Sequence, residues 1–165
     1  MSTRWILTEV DEARLVAVAE LIALKIKVGD VIAQSGDLGA GKTTFARALI
    51  RAVLADSEAE VPSPTYSLVQ IYPAPRLTLA HLDLYRLNDA SEAAELGIEE
   101  LLTTGAVLVE WPERMNDAGM ADRLDIYLLE GIDASCRNIE IAAHGRWVDR
   151  LARIQHIAAF LDTHV

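Results

Sequence analysis

Apolar positions recur along this chain in two rhythms, one helical and one of short continuous runs. In residues 11–26, Leu15, Val18, Ala19, Ile22 and Ile26 fall near a helical period and predict an amphipathic helix. Trp147, Leu151, Ile154, Ala158 and Leu161 repeat that stripe and predict a terminal helix, with core packing as its default role. Val31-Ile32-Ala33-Gln34-Ser35 reads as a short buried strand, and Ala106-Val107-Leu108-Val109 as a strand buried on both faces. Trp5-Ile6-Leu7, ended by Thr8, predicts another strand, as do Leu124 to Leu129 and Ile139 to Ala143. Tyr66 to Tyr72 and Leu77 to Leu84 flank Pro73-Ala74-Pro75-Arg76, so an antiparallel hairpin is expected. Residues 91–102 read as helix with Gly97 as a weak point, and residues 55–64, ADSEAEVPSP, as a loop. The sum is an α/β fold, a three-layer sandwich around one mixed sheet.

Between the buried strand at Val31 and the next helix stand residues 36–43, GDLGAGKT, which fit G-x-x-x-x-G-K-[ST] without mismatch. A strand, a glycine loop and a helix in that order are what make the pattern mean phosphate. Gly36, Gly39 and Gly41 let successive N–H groups turn inward as an anion nest, and the helix, running to about Leu54, presents its N-terminus. Leu38, Gly39, Ala40, Gly41, Lys42, Thr43 and Thr44 are the expected nucleotide contacts. Lys42 would reach the β- and γ-phosphates, and the Thr43 hydroxyl would hold Mg²⁺. An inorganic anion or a nucleotide held without hydrolysis fits the loop as well. This is the signature of a P-loop NTPase-like fold.

Composition narrows the partners. The 165 residues favour one domain over 1–165, and 52% apolar content excludes disorder. A net charge of −10 disfavours extended direct binding to nucleic acid. The lone cysteine, Cys136, excludes an internal disulfide and a cysteine-based zinc cage and suits a cytoplasmic location. No apolar stretch is long enough for a membrane span, and the acidic N-terminal residues do not suit a signal peptide.

Mg²⁺ needs hard oxygen ligands, and two segments offer carboxylates. Val107-Leu108-Val109-Glu110 brings an acid to a strand's carboxyl end, where ligands of open α/β sheets sit. Glu110 acts there through the metal, through a metal-bound water, or on the attacking water. In His81-Leu82-Asp83-Leu84-Tyr85-Arg86, strand alternation puts His81, Asp83 and Tyr85 on one face and the leucines on the other. Asp83 is a candidate for the metal water or the nucleophile. His81 alone reads first as a packed histidine. Arg86 fits a phosphate contact or a surface ion pair equally. Pro62-Ser63-Pro64-Thr65-Tyr66-Ser67 stiffens the backbone about a hydroxyl cluster. Thr65 is placed either to sense the γ-phosphate or to form an ordinary turn.

GDLGAGKT, SPTYSL, HLDLYRL, LGIEELL and VLVEWPER, in this order, resemble the TsaE (YjeE) family over roughly residues 8–145. Its members are P-loop ATPases required for threonylcarbamoyl-adenosine in tRNA. The resemblance implies ATP and Mg²⁺ as ligands and the TsaB and TsaD proteins as partners, with tRNA touched only indirectly. It implies that Lys42 neutralises phosphate and that Thr43 and Glu110 bind Mg²⁺. Asp83 and Thr65 take the family's acidic and switch-like positions. Glu113 is the expected nucleotide contact beside Glu110, and Trp111 lines the pocket or simply packs. The expected activity is ATP hydrolysis, slow without the partners. Either Asp83 or Glu110 orients the water. Two rivals stand beside it: a P-loop small-molecule kinase with Asp83 as base, and a nucleotide-switched binding module without turnover. The absence of N-K-x-D disfavours a GTPase, and the lack of an arginine-rich lid weakens the kinase reading.

Overall fold

A computed structural model describes residues 3–37, 39–65, 67–115 and 120–164, with Ala90 described by its backbone alone. The elements run β1 (Arg4–Val10), α1 (Glu12–Ala23), β2 (Val31–Gly36), α2 (Lys42–Leu54), β3 (Val69–Pro73), β4 (Thr78–Asp83), α3 (Ala90–Ala94), α4 (Ile98–Thr104), β5 (Gly105–Glu110), β6 (Arg123–Glu130), β7 (Arg137–Ala143) and α5 (Trp147–Thr163). A 3-10 turn at Pro112–Arg114 follows β5. The seven strands form one sheet in the order β1-β7-β6-β2-β5-β4-β3. Strand β2 is parallel to β5 and β6, and β4 is parallel to β5. The β3–β4, β6–β7 and β1–β7 pairs are antiparallel. The mixed sheet and the β3–β4 hairpin agree with the pattern of the sequence.

Strand β5 shows why the middle of the sheet is apolar on both sides. All its residues are buried. Ala106 and Leu108 join a core with α1, α2 and α5, whereas Val107 and Val109 join a second core beneath α3 and α4. Helices therefore cover both faces, giving the three layers expected. The predicted helix over 91–102 is two short helices. Gly97 adopts a left-handed conformation, φ 71°, and caps α4, so the weak point is a break. Strand β4 ends at Asp83, and Tyr85 and Arg86 lie beyond it, exposed. The alternation that grouped Tyr85 with His81 and Asp83 stops before Tyr85. Strand β3 begins at Val69 rather than Tyr66, which lies outside the described residues.

Two features fix the ends of this frame. In β1 the pairing with β7 shifts between Leu7 and Val10, and Glu9 takes φ 51°. This bulge turns the Glu9 carboxylate toward the β6–β7 loop, where it accepts from Ile132 N (2.7 Å) and Asp133 N (3.3 Å). At the opposite end of the sheet, Arg150 of α5 pairs with Asp30, the residue before β2. Asp30 is fully buried, and it also accepts from Lys27 N at 2.7 Å. Arg150 reaches the Lys25 carbonyl (3.1 Å) and stacks over Trp147 at 4.8 Å. Desolvation offsets much of the attraction in such a pair, but removing one member strands the other charge in the interior. Arg150→Ala should lower the unfolding free energy by about 3–5 kcal/mol, measured by urea denaturation. A loss under 1 kcal/mol would show that Asp30 does not depend on it.

Candidate functional site

Strand β2 ends at Gly36, where a Cβ would collide with the Leu128 carbonyl oxygen of neighbouring β6. Glycine is required at that point by close backbone approach as well as by its φ of 152°. The loop then delivers Gly41, at φ 95°, as the residue before α2. Helices α1 and α3 are capped by aspartates: Asp11 accepts from Arg14 N, and Asp89 from Ser91 N and Glu92 N. Helix α2 has no side-chain cap and no acid in its first turn. A cap is worth about 1 kcal/mol, and α2 forgoes it, leaving its first N–H groups and its positive dipole end for an anion.

Lys42 Nζ donates to the Gly36 carbonyl and lies 4.4 Å from the centre of the Trp111 ring. Trp111 meets Tyr85 at 4.9 Å between centroids. It holds φ 61°, a left-handed angle costing a bulky residue about 1–3 kcal/mol. Packing against the second core offsets that cost and keeps the indole beside Lys42. Gln34, fully buried, donates to the Lys42 carbonyl at 2.6 Å.

The parallel register sets Gln34 opposite Glu110 and Glu110 opposite Asp83. Glu110 and Asp83 are both buried, at 8% and 6% exposure. Glu110 shares a small cleft with Thr43, Ser63 and His81. The cleft therefore gathers a hydroxyl and a carboxylate, hard oxygen donors that fit Mg²⁺. Asp83 sits beside it in a chain of hydroxyls. Ser63 and Thr65 share a hydrogen bond of 2.6 Å, and Thr65 Oγ1 donates to Asp83 Oδ2 at 3.2 Å. Asp83 Oδ1 accepts from Tyr85 N at 3.0 Å. Glu113 is exposed on the 3-10 turn beside Trp111. Leu38 lies outside the described residues. Gly39, Ala40, Gly41 and Thr44 follow the loop into α2, as the motif requires.

A second cleft adjoins the loop, and the sequence did not disclose it. Val10, Asp11, Leu15, Ser135 and Arg137 line it together with Gly41 and Thr44. These residues come from chain segments over a hundred positions apart, joined by the β1–β7 pairing. Asp133 shapes the β6–β7 loop. It accepts from Ser135 N, and this bond, with the Ser135 hydroxyl, holds its carboxyl below the usual carboxylate range. Arg137 donates to the Gly39 carbonyl (2.9 Å) and to the Ala134 and Cys136 carbonyls. Arg137→Ala should leave the thermal midpoint within a few degrees of wild type and speed amide exchange at residues 39–41. Unchanged exchange at those amides would mean the guanidinium does not restrain the loop.

Residues 10–139 match the family model described as "Threonylcarbamoyl adenosine biosynthesis protein TsaE". The TsaE protein of Bacillus subtilis is 36% identical over 136 residues, covering 82% of this chain and 83% of the relative. That of Haemophilus influenzae is 35% identical over 124 residues, 74% of this chain and 76% of the relative. That of Rickettsia conorii is 43% identical over 95 residues, 58% of this chain. The match spans only 54% of the Rickettsia conorii protein and 65% of the Rickettsia prowazekii one. Among solved structures, Bacillus subtilis YdiB superposes with a TM-score of 0.75 at 27% identity, over 96% of this chain and 98% of that one. The matched stretch encloses both clefts.

Proposed function

Since the chain belongs to the TsaE family, we propose that it is a Mg²⁺-dependent ATPase supporting threonylcarbamoyl-adenosine modification of tRNA, acting with TsaB and TsaD. The observation that carries this reading is the convergence of an uncapped α2, Lys42, Thr43 and Glu110 on one glycine loop.

In this reading the loop N–H groups and Lys42 bind the phosphates and stabilise the charge that builds during transfer. To do so Lys42 exchanges the Gly36 carbonyl for phosphate oxygen, while the indole beside it limits its swing. Thr43 and Glu110 hold the metal, which neutralises phosphate charge when bound. The cleft beside Gly41 and Thr44 takes the adenine. Its floor of Val10 and Leu15 suits a flat apolar base, and Asp11 and Ser135 offer polar contacts at its edge. Glu113, exposed on the turn after β5, would contact the nucleotide.

Thr65 closes on the γ-phosphate, and closure requires it to leave Asp83. Slow turnover without partners is the expectation on this reading, because the hydroxyl chain is satisfied in the free protein. Released from Thr65, Asp83 becomes free to orient water, as does Glu110. Both Asp83 oxygens accept bonds in the free protein, from Thr65 and from Tyr85 N. The acidic surface fits docking to protein partners with tRNA contacted only indirectly.

Lys42→Ala should lower phosphate release from Mg-ATP by about 100-fold or more, with and without the TsaB–TsaD pair. Wild-type turnover in that variant would remove the assigned site. ATP bound for hours with no ADP formed, partners present, would replace the ATPase with a binding module.

A further inference from the structure

Strand β4 is buried along nearly its whole length, and an imidazole sits in it where packing alone would call for a hydrocarbon. His81 is 3% exposed. It shares a register row with Leu108 and, through β5, with Ile32. Among the described residues neither ring nitrogen has a hydrogen-bond partner. Nε2 points to Glu110 Oε2 at 3.5 Å, within reach of an ion pair but too long for a formed hydrogen bond. Buried polar groups without partners are rare, and each calls for a reason.

We infer that His81 is a positioning residue for the metal-binding carboxylate: its Nε2–H donates to Glu110 and fixes the carboxylate toward Thr43 when Mg-nucleotide is bound. The inference rests on the nucleotide-site reading above. His81, Glu110 and Thr43 line the same cleft, so a short movement of the carboxylate closes the 3.5 Å gap. Contacts of this kind are often long in a free protein and tighten in the complex. Partners that orient a metal's ligands set its affinity without touching it, and losing one commonly costs 10-fold or more. The second carboxylate oxygen stays available to the metal or to its water.

The test is titration calorimetry of a non-hydrolysable ATP analogue, with Mg²⁺ and with EDTA, on the full chain. The readout is the factor by which Mg²⁺ tightens binding. His81→Leu should leave the metal-free affinity and the thermal midpoint near wild type and shrink the Mg²⁺ factor by about 10-fold. His81→Gln, which keeps an N–H donor at the Nε2 position, should restore most of it. Should the leucine variant not fold, His81→Asn, whose donor falls at the Nδ1 position, should show the same loss. A full Mg²⁺ factor in His81→Leu or His81→Asn overturns the assignment. So does equal loss with and without metal, which would make His81 a packing residue. Wild-type protein that binds no nucleotide would overturn the site reading and this inference together.

Discussion

Three parallel strands in strict register hold this molecule's chemistry in one place. Gln34, Glu110 and Asp83 fall in a single row across β2, β5 and β4. Side chains alternate with a period of two, so a slip of one residue in any strand would send its polar group to the opposite face. Both faces of β5 are apolar, Ala106 and Leu108 filling one core and Val107 and Val109 the other. The pairing of β2, β5 and β4 thus sets where the acids stand. The glycine loop adds donors to a position the sheet has already chosen.

The loop itself balances local costs against neighbouring support. Helix α2 goes without the aspartate cap that α1 and α3 possess. Trp111 holds an unfavourable backbone angle under the grip of the second core. Gln34 and Arg137 brace the loop from below and from the side.

Much of this was legible in the chain. Continuous apolar runs located β2 and β5, and GDLGAGKT located the turn between β2 and α2, because both are local signals. Helix α1 was also legible, although its C-terminal turn is shorter than the stripe through Ile26 suggests. What stayed hidden depended on distant pairing. Asp11 and Arg137 meet beside Gly41 only because β1 and β7 pair, and neither segment carries a motif. Tyr85 misled for a different reason: alternation is informative only while the strand lasts, and β4 stops at Asp83. His81 read as an ordinary packed histidine because a sequence does not reveal whether a buried ring has partners.

The family model and the folded core have different boundaries in this molecule. The stretch shared with the family model closes at residue 139, inside β7. Helix α5 lies wholly after it, yet Trp147, Leu151 and Ile154 fill the same core as Ile32 and Leu108, and Arg150 secures the turn that launches β2. A fragment trimmed to the recognisable region would retain every residue assigned to nucleotide and lose the anchor beneath the strand that presents it.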